Sequence, residues 1–193
     1  IGGTCVNVGC VPSKTLIRAA EAVHAGQASR RFPGLGGGVR LEDWAALAAS
    51  KDELVAGLRQ KKYVDLLPAY PGVTYVEGRA RFVDGKMLID DAPMPVGRII
   101  LAMGARAAVP PIPGLEDVPW LTSTSALALE RLPRSLLVIG GGVIGVELGQ
   151  MFARLGGSCN RTLGSNSLAT VRPARARDAT AMRRSRSSPR SRC

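Results

Sequence analysis

The sequence has no apolar run approaching the ~18 residues that a membrane span needs. Its N-terminus carries neither an initiator Met nor the basic-then-apolar layout of a signal peptide. Nothing in it points to a membrane or to export, and it begins abruptly, inside what reads as a motif. Histidine is almost missing, His24 being the one example among 193 residues. A structural zinc site wants two Cys/His pairs, so the four cysteines lack a ready partner set for one. Acids are scarce late in the chain: residues 157–193 hold nine Arg and only Asp178, a net of +8 out of +11 overall. The rest carries 17 basic and 14 acidic groups and is close to neutral. The basicity therefore belongs to a tail, which argues against a nucleic-acid partner for the body.

That tail, 169–193, is rich in Arg, Ala, Pro and Ser and has no hydrophobic period. It reads as a basic arm or as a frameshift artefact of a GC-rich gene, and the abrupt change of composition favours the artefact. An intact in-frame gene encoding it would sink that reading.

What remains, 46% apolar and 21% charged overall, suits a globular protein with one sizeable core or two small ones. Residues 12–29 carry Leu16, Ile17, Ala20 and Val23 at helical spacing, with Pro12 in the first turn. Residues 41–67 read as one or two helices ending before Pro68. The period then changes: 73–90 reads as short strands broken at Gly78 and at Asp84-Gly85. "GRIILAMGA" (97–105) reads as a buried strand entering a glycine turn. The Pro-rich stretch 109–120 reads as a linker, and Thr122 or Ser123 is placed to cap a helix reaching about Glu130. Strand–helix alternation around glycine turns predicts an α/β architecture with parallel sheets.

Three signals carry chemistry. The first is Gly140, Gly141, Gly142, Val143, Ile144 and Gly145, a G-x-G-x-x-G with an apolar strand before it and a helix after it. That context is what a dinucleotide-binding turn requires, its pyrophosphate resting on the helix N-terminus. An acid about twenty residues on would favour NAD. None occurs in 157–177, and Arg161 and Arg172 lean the reading to NADPH.

The second is Cys5 with Cys10 in "GGTCVNVGCVPSK". A continuous α-helix holds residues i and i+5 roughly 8.7 Å apart at Cα, beyond the ~7 Å limit for a disulfide. A bridge between them needs broken backbone, and Asn7 and Gly9 tolerate the left-handed conformations such a turn can use. Cys10 would lie near the positive end of the helix begun by Pro12, where a thiolate is stabilised. By spacing alone a redox couple leads, with a metal clip and inert cysteines still open. The third signal is Lys14, one turn beyond Cys10, with Glu147, one turn after the glycines; read blandly, both are surface charges.

Together these stretches resemble the pyridine nucleotide–disulfide oxidoreductases, a family of FAD enzymes. "GGTCVNVGCVPSK" resembles the redox-active disulfide segment, "LAMGA" the turn closing the FAD domain (Met103 standing where Thr is usual), and "VIGGGVIGVELG" the NAD(P) fingerprint. The likeness runs to about residue 156, with weaker echoes to 168. It implies a Rossmann-like FAD-binding domain over 1–116 and the start of a second, NAD(P)-binding one over 117–168, both incomplete. "VPSKTLIRAAEA", "ARFVDGK" and "LTSTSALALERLP" resemble the mercury-reducing branch most, with dihydrolipoyl dehydrogenase as the alternative. A basic nucleotide- or nucleic-acid-binding module is the reading from a different class.

The resemblance implies a role at each matching position. Gly3, Thr4, Lys14, the Ala80 backbone and Ala102, Met103 and Gly104 would contact FAD. Cys10 would be the thiol beside the flavin and Cys5 the outer thiol, both binding Hg(II) transiently as substrate. Lys14 and Glu147 would form a desolvated ion pair joining the two domains. Residues 140–145 and Glu147 would bind NADPH; Val143 stands where several relatives carry a gating Tyr, so tyrosine gating does not carry over. The first FAD glycine motif would lie upstream and a dimerisation domain downstream. The chain is thus expected to be an inactive internal fragment of a cytoplasmic homodimer.

Overall fold

The structure, a computed structural model, describes residues 1–162 and 170–173. The chain opens with a short helix α1 (Gly3–Asn7), breaks at Val8 and Gly9, and resumes as the long helix α2 (Cys10–Ala28). Pro12 is buried in the first turn of α2, where its missing N–H costs no intrahelical bond. With Leu16, Ala20 and Val23 it makes the buried face of that helix. Helix α3 (Trp44–Arg59) starts at Asp43, whose side chain accepts from the Ala46 N–H at 3.1 Å, and passes through a π-helical turn at Gln60–Val64.

Three short strands follow, β1 (Ala80–Val83), β2 (Lys86–Ile89) and β3 (Ala92–Met94), in an antiparallel meander rather than a parallel sheet. The cause is local. The two-residue turns Asp84-Gly85 and Asp90-Asp91 all have positive φ, between 45° and 75°, the geometry that joins adjacent antiparallel strands. Residues 73–77 form no strand. Nor does the stretch 97–105: Ile100 is 92% exposed and Met103 86%. An apolar run becomes a buried strand only where neighbours pair its backbone and a layer covers its side chains, and no described strand does either.

The Pro-rich stretch is irregular, anchored by buried Leu115. Helix α4 (Ser123–Leu127) begins at a capping box between Thr122 and Ser125 and stops three residues short of Glu130. Carbonyls at and beyond its end are taken from outside the helix. Lys51 Nζ donates to Leu127 O and Trp44 Nε1 to Leu129 O, each at 2.8 Å. Strand β4 (Ser135–Ile139), the glycine turn and helix α5 (Val143–Arg154) follow as the pattern predicts, and β5 (Ser158–Thr162) lies parallel to β4. The other edge of β4 is paired antiparallel by β6 (Thr170–Pro173). Four residues of the tail with no hydrophobic period thus join the sheet, because ladder pairing needs only backbone groups. The other tail residues lie outside the described ones.

One core crosses the expected boundary at 116/117. Leu16, Ala20 and Val23 of α2 and Trp44 of α3 pack with Leu136 and Val138 of β4 and Leu148, Met151 and Phe152 of α5. The Trp44 and Phe152 ring centroids are 5.9 Å apart. Lys51 is the one buried charged residue among those described, and Asp52 Oδ1 meets its Nζ at 2.7 Å. Lys51→Met keeps the stem and removes the donor, leaving Leu127 O unpaired. The expected loss is about 1–3 kcal/mol of unfolding free energy, read by urea denaturation followed through tryptophan fluorescence.

Candidate active site

The break between α1 and α2 brings the two cysteines together. Cys10 is the first residue of α2 and Cys5 sits in the middle of α1, near enough for the Cys10 side chain to act on the Cys5 thiol. Both are exposed free thiols rather than a formed disulfide. The left-handed residues lie elsewhere than expected. Asn7 is helical and Gly9 has φ −117°, whereas Gly2 and Gly3 take φ 110° and 70° at the entry to α1. Asn7 Nδ2 and Arg59 Nε both donate to Ile1 O, at 3.2 and 3.1 Å, tying that entry to α3. No sequence signal marked Arg59 or Lys51: an isolated basic residue on a helix reads as solvated.

The Cys5 thiol is held above its ordinary range, first by the side-chain hydrogen bond to Cys10, then by desolvation and by the charge of Cys10. Cys159, on β5, is pushed up by burial alone and stands apart from the pair.

Lys14 lies one turn after Cys10 on the same face of α2, and its Nζ meets Glu147 Oε1 of α5 at 2.5 Å. The side chains are 51% and 38% exposed, so the pair is partly solvated rather than desolvated. A pair this open is worth about 0–1 kcal/mol; its consequence is placement of a cation. Glu147 in turn follows the Gly140–Gly142 turn, whose first residue has φ 106°. Among the described residues no side chain caps α5, which leaves its first amides to an anion.

Thr4 is brought to the glycine of the "LAMGA" turn. Gly104 has φ 74°, and a Cβ there would lie 3.3 Å from Thr4 Oγ1. Ala102 and Met103 beside it are exposed. Ala80 is in the meander, lining a cavity of about 350 Å³ with Arg79, Arg81, Asp90 and Asp91. The meander strands pack mainly on one another, so Ala80 is not joined to the thiol pair by an extended contact.

A family model described as pyridine nucleotide-disulphide oxidoreductase matches residues 1–180. The mercuric reductase of Streptomyces lividans is 48% identical over 161 residues, which are 80% of this chain and 34% of that protein. The mercuric reductase of Staphylococcus aureus is 46% identical over 157 residues, 81% of this chain and 28% of that one. Among solved structures, the Cu(II) complex of the HOCl-induced flavoprotein disulfide reductase RclA from Escherichia coli aligns with a TM-score of 0.69 at 30% identity. That alignment covers 95% of this chain and 39% of that one. The chain spans about a third of the length of the curated relatives it matches.

The hydrogen bond within the pair has a pH signature. Cys10→Ala removes the largest cause of the raised Cys5 value, so the thiol falls toward its ordinary range and more of it is thiolate at mildly alkaline pH. Alkylation of Cys5 by iodoacetamide should then accelerate, with the midpoint of its pH–rate curve moved to lower pH. An unmoved midpoint would contradict the hydrogen bond.

Proposed function

This chain belongs to the pyridine nucleotide-disulphide oxidoreductase family, and we propose that it is part of an enzyme that reduces Hg(II) to Hg(0) with NADPH. The observation that carries the proposal is the Cys5–Cys10 pair, two exposed free thiols brought together across a helix break one turn from the Lys14–Glu147 contact. Hg(II) is a soft cation for which sulfur is the preferred ligand, and two adjacent exposed thiols offer it a pair of them. The curated relatives named above are mercuric reductases, which favours Hg(II) over dihydrolipoamide as the acceptor.

Gly3, Thr4, Lys14, the Ala80 backbone and residues 102–104 would hold FAD. The side-chain-free Cα of Gly104 beside Thr4 Oγ1 supports that part of the reading. FAD, when bound, supplies a two-electron carrier between the nucleotide and the cysteines. Residues 140–145 and the uncapped N-terminus of α5 would take the NADPH pyrophosphate, and Arg161 and Arg172 favour NADPH over NADH.

The chain's own residues divide the remaining work. Cys5, the outer thiol, meets the substrate, and Cys10 joins it as second sulfur ligand. Lys14 supplies a fixed positive charge along the face that carries Cys10, and Glu147 fixes the direction of that lysine. The same reading takes the intact protein to be a cytoplasmic homodimer; among the described residues no helix is long and apolar enough to cross a membrane.

The test is Hg(II)-dependent oxidation of NADPH by the full-length protein that contains this segment, compared with its Cys5→Ala and Cys10→Ala variants. Either variant is expected to fall to the background rate without losing bound flavin. Full turnover in both would rule the mechanism out, and reduction of lipoamide in place of Hg(II) would select the alternative acceptor.

A further inference from the structure

Gly9, the second of the two residues between the helices, has a reason of space to be a glycine. A Cβ built on Gly9 would lie 2.8 Å from Thr4 O, 3.3 Å from the Cys5 Cα and 3.4 Å from Thr4 C. All three are backbone atoms, so no side-chain rotation relieves the collision. The backbone on each side is also committed. Thr4 O accepts the Val8 N–H, and Gly9 O accepts the Ser13 N–H, each at 3.1 Å. The first bond belongs to α1 and the second to α2, so relief has to come from moving one helix against the other. Thr4 is the residue before Cys5, and Cys10 is the residue after Gly9. Any such movement therefore changes the approach of the two sulfurs.

We propose that Gly9 is the positioning residue of the thiol pair: the absence of a side chain there sets how closely Cys5 approaches Cys10. The proposal rests on the reading of the two cysteines as a redox couple and adds what controls their coupling. Space is not the only reason, since Gly9 at φ −117° and ψ −112° lies in neither the helical nor the extended region that other residues adopt. Nor does every glycine here answer to space: a Cβ on Gly57 of α3 would meet nothing within 4 Å.

The experiment is equilibration of the 193-residue chain with oxidised and reduced glutathione, quenched by alkylation and read by mass spectrometry. One oxidised glutathione takes two electrons and two protons from the Cys5 and Cys10 thiols; two S–H bonds are lost, the protein S–S bond forms and two reduced glutathiones are released. It needs neither mercury, flavin nor nucleotide. Gly9→Ala is expected to lower the equilibrium constant for the intramolecular disulfide by about tenfold, equivalent to about 30 mV. The glutathione adduct on Cys5 is expected to accumulate, because Cys10 resolves it poorly.

Val23→Ala, which opens a small cavity at the far end of α2, and Gly57→Ala are expected to match the parent. A Gly9→Ala chain with the parent's equilibrium overturns the proposal, and so does an equal shift in Val23→Ala. Loss of the helical circular dichroism in Gly9→Ala also overturns it, by assigning the glycine to the fold instead of the sulfur pair. A parent chain that forms no Cys5–Cys10 disulfide at any glutathione ratio fails at a different point: it removes the redox couple itself.

Discussion

Cys5 and Cys10 could not touch if the helix that carries them were continuous, because i and i+5 positions lie roughly 8.7 Å apart at Cα. Their pairing depends on the interruption at Val8 and Gly9, and the geometry of the site follows from where that interruption falls. It makes Cys10 the first residue of α2, and Lys14 then follows one turn later on the same face. It also leaves Thr4 at the surface of α1, against the Gly104 turn. One break thus places two thiols and a cation within neighbouring turns, with the Thr4 hydroxyl beside the Gly104 turn.

The second requirement is that α2 stay against α5. Leu16 and Ala20 on one side and Leu148 and Phe152 on the other are almost wholly buried, and they register the two helices so that Lys14 meets Glu147. A solvated ion pair contributes too little to hold two helices together. The apolar seam sets the alignment, and the charges report it. Trp44 and Lys51 brace the same seam from α3 through the carbonyls of Leu129 and Leu127.

Much of this was legible in the residues themselves. The period of 12–29, the strand–glycine–helix order of 135–156 and the i, i+5 cysteine argument each rest on local geometry that the chain cannot escape. The Lys14–Glu147 contact was not available from local pattern and entered through family resemblance alone, since 133 residues separate the partners. Other features were misread for identifiable reasons. "GRIILAMGA" has the composition of a buried strand, but composition does not state whether a neighbouring strand and a covering layer exist. Gly9 reads as a residue that tolerates a left-handed turn, yet its φ is −117° and a Cβ on it would lie 2.8 Å from Thr4 O, a distance set by how the two helices meet. Lys51 and Arg59 carry no sequence mark because their partners are main-chain carbonyls, which every residue has.

Oxidation of the chain with a stoichiometric disulfide reagent, followed by trypsin and mass analysis of the peptide ending at Lys14, tests the pairing most directly. The geometry requires that peptide, which holds both Cys5 and Cys10, to appear lighter by two hydrogen atoms, with Cys159 recovered as a free thiol. Cross-linking of Cys5 or Cys10 to Cys159, or to a second chain, in place of that internal disulfide would contradict it.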